Sequence, residues 1–418
     1  MAGKDSLNKS RVELKDGKQM FSITLADSVP VLETREPLFE VDESRFEKAF
    51  FPALPENADS FKSIAIVVAD KTRRCGYDIY LPKLLKMLLQ QGITQDQITF
   101  FIAYGTHARQ TDAQCLDVYG DVFREYRFVH HDSSDVSLFA DCGVTKKGTR
   151  IRIRKDILQS DLVISFGALS HHYFAGYGGG RKLLFPGLGY TPDIYQNHSL
   201  FLDKKNCRLS FGCCPGELEN NPLARDLEEI DGYIQSHRIS IHGILDSSAR
   251  VCQLIVGKTW QDFTDACQTL DSFYRFKSPR KYGLVLASCG GYPRDINFIQ
   301  AHKAVNNAAM FVKDGGILAV LAQCPDGIGS QTFLEYFDYA DFHAAFDVLE
   351  KEYRGNGGTA LSMMTKTARI NIFLKTDLDD TICKAMGTGK IEEKAIAALV
   401  EKFENDMACI KNASLLTG

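Results

Sequence analysis

Three observations predict an α/β fold in two domains, each a mostly parallel sheet covered by helices. Apolar runs with β-branched content recur at 63–69, 97–104, 161–167, 282–288, 315–322 and 368–374, which is how strands buried on both faces read. Amphipathic stretches at 81–89, 298–312 and 391–407 alternate with them, and strand–helix alternation favours parallel pairing. The third observation is length: 418 residues exceed what one compact core takes, so two domains are expected. The pattern breaks at 271–281, around Phe276-Lys-Ser-Pro-Arg-Lys281. That assigns 1–270 to an N-terminal domain and 271–418 to a C-terminal one.

Taken in order, residues 1 to about 60 read as a β-rich or irregular lead-in, because prolines at 30, 37, 52 and 55 interrupt any long helix. The first buried strand, 63–69, ends in the polar turn Asp70-Lys71-Thr72-Arg73; the second, 97–104, ends in Gly105-Thr106-His107. A shorter third strand is expected at 128–132. Thr149-Arg-Ile-Arg-Ile-Arg154 alternates with period two, as a half-exposed strand does. Strand 161–167 leads into Ser170 to Gly187, reading SHHYFAGYGGGRKLLFPG. Residues 243–257 read as a hairpin around Ser247-Ser248.

Composition narrows the function classes. A formal charge of −4 does not suit nucleic acid binding, which wants a basic face, and no apolar run is long enough to span a membrane. The polar N-terminal stretch MAGKDSLNKSRVELKDGKQ has no apolar core of a secretory signal. Twelve scattered cysteines without a C-x-x-C pair then indicate reduced thiols and a cytoplasmic location.

The chemistry concentrates where the strands end, which is where open α/β sheets bind ligands. Glycines at 176, 178, 179 and 180 let backbone N–H groups approach a ligand, and Arg181-Lys182 supply charge for an anion. The stretch is neither a P-loop, since Lys182 is followed by Leu183, nor a dinucleotide fingerprint, since no acid stands about 20 residues on. A plain glycine turn is the bland alternative, and the two cations argue against it. His107, His171, His172 and His198 lie at or just beyond strand ends. One such histidine is usually structural, whereas a set at one rim suits acid–base work or metal ligation. His130 and His131 read as surface or structural residues. Asp70, Thr72 and Arg73 share that rim, and an arginine there can grip a carboxylate or phosphate in two-point fashion. Gln300 and Lys303, three apart on a helix, carry little weight alone.

Together these residues resemble the lactate racemase family, the nickel-pincer nucleotide enzymes acting on 2-hydroxy acids. The matching pieces are Asp70-x-Thr72-Arg73, Gly105-Thr106-His107, His171-His172-x-Phe174-Ala-Gly-Tyr-Gly-Gly-Gly-Arg-Lys182, Asn197-His198 and Gln300-x-x-Lys303. They run in the family's order across nearly the whole chain, and the middle block is the specific one. The resemblance implies a two-domain enzyme with its site in the intervening cleft. It implies racemisation or epimerisation of a 2-hydroxy acid by proton-coupled hydride transfer to and from a pyridinium mononucleotide with two thiocarboxylate arms holding nickel. His198 is then the protein ligand to nickel, and Lys182 the amine able to join the cofactor through a thioamide. Asp70, Lys71, Thr72, Arg73, Phe174, Gly178, Gly179 and Gly180 face the cofactor. His107 and His172 are the acid–base pair, and Arg73, Gln300 and Lys303 hold substrate. Cofactor-assembly enzymes are the implied partners.

Departures from the family pattern bear on substrate. Arg74 stands where proline is common, Ile299 where lactate-specific members have an aromatic, and the stretch Ala360-Leu-Ser-Met-Met364 where they have tryptophan. A 2-hydroxy acid other than lactate is therefore expected, with a second carboxylate if Arg74 points inward. The alternatives are a cofactor-free two-base racemase, which predicts no nickel, and a non-catalytic nucleotide-binding sensor, which predicts no turnover.

Overall fold

The computed structural model describes residues 8–278 and 280–418; residues 1–7 of the polar N-terminal stretch, and Pro279 within the expected boundary, lie outside the described residues. The chain forms two compact units, one of Glu36–Phe201 with Ser210–Phe273, the other of the residues up to Arg35, Leu202–Leu209 and Tyr274–Gly418.

The Glu36–Phe273 unit is built on a six-stranded sheet. Its order is Val251–Gly257, His237–Leu245, Leu162–Ala168, Ile64–Ala69, Ile98–Ala103, Arg127–His130. All neighbours pair in parallel except the hairpin of the first two. The strand Ile64–Ala69 is buried at every position, as its unbroken apolar run predicts. From it the chain builds outward to one side through Ile98–Ala103 and then to the other through Leu162–Ala168. The strand order therefore reverses between Ile64–Ala69 and Leu162–Ala168, and a ligand crevice belongs at the carboxyl ends of that pair. Tyr77 ties the two ends together: Ala69 N–H donates to its hydroxyl at 2.8 Å, and the hydroxyl donates to the Phe166 carbonyl at 2.8 Å. Tyr119 donates to the Ala69 carbonyl at 2.8 Å. With Phe46, Phe50, Phe100 and Phe166, both tyrosines are fully buried, so large rings fix the strand ends from beneath.

The other unit has a six-stranded, all-parallel sheet ordered Gly389–Lys390, Asn371–Lys375, Val312–Leu321, Tyr282–Ser288, Met407–Ile410, Val31–Leu32. The lead-in is more regular than its prolines suggest. Lys9–Asp16 and Gln19–Ala26 form an antiparallel hairpin whose Leu14, Phe21 and Leu25 pack on Leu284, Leu286 and Ile396. Residues up to Arg35 thus count with the C-terminal sheet, whereas the sequence reading put all of 1–270 in one domain. The break after Phe273 lies close to the expected one. No helix of the described residues is long and apolar enough to cross a membrane.

Candidate active site

The turn after Ile64–Ala69 organises itself around Asp70. Its Oδ1 accepts from Thr72 N–H at 2.8 Å and from the Thr72 hydroxyl at 2.5 Å, capping the single turn Lys71–Arg73. Its Oδ2 lies 2.7 Å from His107 Nδ1, in the loop after the neighbouring strand. Burial raises the Asp70 carboxyl, but the His107 hydrogen bond, the charges of His107 and Arg73 and the Thr72 hydroxyl outweigh it and hold the pKa at about 2. A carboxylate so held makes His107 Nδ1 a donor and leaves its other nitrogen as the base. Gln110, missed in the sequence, accepts from Lys71 N–H at 2.6 Å and steadies the turn.

After Leu162–Ala168 comes a short antiparallel hairpin, Ser170–His172 with Gly176–Gly178. The glycines serve packing as much as ligand approach. A Cβ on Gly176, which has φ +75°, meets Glu217 O at 2.1 Å, and one on Gly179, with φ +79°, meets Ala168 O at 2.5 Å. Only glycine lets the loop return this closely. The turn Gly180–Leu183 then delivers Lys182, and helix Thr191–Ser199 delivers His198. That helix is anchored from behind: Asn197 Nδ2 donates to Asp226 at 2.8 Å, and Thr145 and Thr149 donate to the same carboxylate at 2.5 and 2.6 Å.

These segments surround a cavity of about 130 Å³, partly open to solvent and lined by Asp70, Arg73, His107, His172, Lys182 and His198 among others. His198 and Lys182 are half-buried because each opens onto the cavity. Desolvation there lowers the His198 pKa to about 3, helped by the Lys182 charge. It also drives Lys182 well below its ordinary value, with Arg73 and Arg181 adding repulsion. The floor therefore favours a neutral imidazole, able to ligate a metal, beside an amine whose protonated form is disfavoured by desolvation. Phe174 packs beside both, its ring centroid 5.1 Å from that of His198 and 5.4 Å from Lys182 Nζ. Among the described residues no group of three or more His, Cys, Asp or Glu side chains could hold a metal ion. A metal carried in by a cofactor, with His198 as one added ligand, fits this donor set.

Of the expected cofactor contacts, Asp70, Arg73, Gly178, Gly179, Lys182 and His198 line the cavity, while Lys71, Thr72, Phe174 and Gly180 do not. Thr72 instead bonds to Asp70, and Gly180 packs under Phe263 and His242. Of the four rim histidines, His171 turns away and meets Asp271 at 2.7 Å. Arg181 is also not a ligand cation: it is buried, with its guanidinium 4.8 Å from the ring centroids of both Trp260 and Phe263. Arg74 does not line the cavity; it ion-pairs with Asp117, which removes the condition for a second substrate carboxylate. His131 is structural, bonded to Gly189 O at 3.0 Å. His130, though, is 2.8 Å from the hydroxyl of Tyr104, a cavity-lining residue. Gln300 and Lys303 lie on helix Phe298–Ala308 of the other unit, joined by a 2.7 Å bond from Lys303 Nζ to Gln300 Oε1. Ala360, Leu361 and Met363 are fully buried, so only Met364 of the stretch read as substrate-facing keeps appreciable exposure.

Comparison with known proteins identifies relatives of the chain. A family model described as the lactate racemase N-terminal domain matches residues 16–210, and one described as the lactate racemase C-terminal domain matches 278–356. The lactate racemase of Thermoanaerobacterium thermosaccharolyticum is 29% identical over 286 residues, which are 68% of this chain and 65% of that protein. That of Lactiplantibacillus plantarum is 29% identical over 297 residues, 69% of this chain and 66% of its own length. The match thus spans just under two thirds of either relative. The apoprotein structure of the T. thermosaccharolyticum lactate racemase superposes with a TM-score of 0.87 at 23% identity, covering 97% of this chain and 99% of that one. A Thermotoga maritima protein shares the fold at a TM-score of 0.66 and 13% identity, over 91% of this chain and 99% of its own. With the two lactate racemase domain models matched in order along the chain, the chain belongs to the lactate racemase family.

Proposed function

We propose that the protein is an isomerase that racemises or epimerises a 2-hydroxy acid, using a nickel-pincer nucleotide held at this cavity. The observation that carries the reading is the pairing, around one cavity, of two rim imidazoles with a desolvated lysine and histidine at the floor. When bound, the cofactor supplies a ring that can accept a hydride and give it back. The protein supplies position and protons. Lys182, driven toward its neutral form, is the amine for a thioamide link, and His198 offers a neutral lone pair to nickel. Arg73 at the rim grips the substrate carboxylate. His107, with Nδ1 tied to Asp70, takes the hydroxyl proton of one enantiomer, and His172 does so for the other.

The family motif order extends substrate contact to Gln300 and Lys303, which are proposed to hold the carboxylate and hydroxyl. Ile299 in place of an aromatic supports a substrate other than lactate, although Arg74 no longer argues for a dicarboxylate. Protein made alongside the cofactor-assembly enzymes is to be assayed for interconversion of D- and L-forms of lactate, 2-hydroxybutyrate, malate and bulkier hydroxy acids. The reading expects racemisation of at least one, best for an acid other than lactate. No turnover of any by nickel-loaded protein rejects the enzymatic reading, and lactate as best substrate rejects the specificity.

A further inference from the structure

The hairpin that presents His172 is three residues long on each strand, too short for a two-stranded ladder to hold itself in water. Successive side chains on a strand point to opposite faces, so His171 and its cross-strand partner Tyr177 lie on the face opposite His172. There, His171 Nε2 is 2.7 Å from Asp271 Oδ1, and the Tyr177 hydroxyl donates to the same oxygen at 2.8 Å. The two rings lie 5.3 Å apart. Asp271 stands on helix Trp260–Tyr274, an element with no residue lining the cavity. The His171 side chain is only 6% exposed and that of Asp271 20%, so water competes poorly for these bonds.

We propose that Asp271 is a positioning residue: through His171 and Tyr177 it fixes the reverse face of the hairpin, and so the direction in which His172 points. The inference rests on the reading of His172 as an acid–base residue. The turn end of the hairpin has separate ties, from Asn221 Nδ2 to Phe174 O at 2.9 Å and from Gly216 N–H to Gly176 O at 3.0 Å. Loss of Asp271 therefore loosens the strands and lets His172 wander without detaching the loop. Adjacent histidines thereby divide the labour: one carries the chemistry and the other carries the anchor.

The test compares Asp271→Ala, Asp271→Asn, Tyr177→Phe, His171→Ala and His171→Gln in nickel-loaded protein. Hydrogen exchange over 170–178, nickel content, and kcat and KM for the best hydroxy acid are measured. Asp271→Ala is expected to speed exchange in that segment and lower kcat by up to about 10²-fold, the scale of a small misplacement, with KM and nickel content held. Asp271→Asn and Tyr177→Phe, which keep part of the anchor, fall between it and wild type and serve where the alanine variant does not fold. His171→Gln, which keeps an N–H for Asp271, recovers most of the activity lost in His171→Ala. Unchanged exchange in Asp271→Ala, or in Asp271→Asn where the alanine variant does not fold, overturns the anchor. So does His171→Gln as inactive as His171→Ala, which makes His171 itself part of the chemistry. If wild type turns over no hydroxy acid, the proposed function fails, and the exchange experiment still decides whether Asp271 holds the hairpin.

Discussion

The rim and the floor of the cavity use the same residue types to opposite ends. At the rim, His107 has 43% of its side chain exposed and a carboxylate 2.7 Å from its Nδ1. On the floor, His198 faces the cavity beside a lysine, and desolvation holds it neutral down to about pH 3. A carboxylate neighbour favours the protonated imidazole, whereas desolvation favours the neutral ring that can ligate a metal. The difference lies in what surrounds each ring, and the sequence alone assigned those roles only through a family resemblance.

The largest expected effect breaks the floor. Lys182→Ala and His198→Ala should leave the fold intact and abolish retention of nickel and cofactor, read by metal analysis and absorbance. His107→Asn and His172→Asn should do the reverse, keeping nickel while lowering turnover by about 10²- to 10⁴-fold, the usual range for a lost acid–base group. Nickel loss in the rim variants would erase the distinction.

The buried imidazoles also predict acid sensitivity. Burial lowers the pKa of His131 and of His242 to about 4, and desolvation takes His198 to about 3. The unfolded chain takes up a proton on each near pH 6.5, whereas the folded chain resists until about pH 4 or below. Stability contributed by these neutral rings is thus present above pH 6.5 and is lost as the pH falls through that interval, by a few kcal/mol for each ring. His242→Phe should flatten the slope in denaturant titrations of the cofactor-free protein. The rim has a lower window. Asp70, at about 2 folded and 3.8 as its ordinary value, contributes stability above about pH 4 that disappears as the pH falls toward 2. Asp70→Asn should cost about 2 kcal/mol at neutral pH and remove the pH dependence between 4 and 2.

The smallest effect belongs to Arg74. Its pair with Asp117 is exposed on both sides, so Arg74→Ala should change stability by less than about 1 kcal/mol and leave KM for every hydroxy acid unaltered. A raised KM confined to dicarboxylates would return Arg74 to the substrate pocket.

How much was legible follows from how local each cause is. Runs such as Ile64–Ala69 and Leu162–Ala168 announce themselves because a strand buried on both faces reads as a nearly continuous apolar run. The hairpin Lys9–Ala26 was harder, since the outward positions of its first strand carry lysine, arginine and glutamate and only Val12 and Leu14 of that strand are apolar. Its attachment to the C-terminal sheet was not legible at all, because it depends on contacts with residues such as Leu286 and Ile396 far along the chain. The candidate site was legible as strand ends bearing histidine, glycine and cations, which singled out His107, His172, Lys182 and His198. What failed was direction. Arg181 and His171 sit within the motif yet face tryptophan and aspartate supplied by helix Trp260–Tyr274. Arg74 was open to either side until Asp117 claimed it. Side-chain direction is set by partners remote in sequence, and spacing carries no record of them.

The most direct test of the central claim is nickel content, with peptide mass across Lys182, for wild type and His198→Ala made beside the cofactor-assembly enzymes. The account predicts nickel in wild type with added mass on the Lys182 peptide, and nickel lost from a folded His198→Ala. Equal nickel in both proteins, or none in wild type, would contradict it.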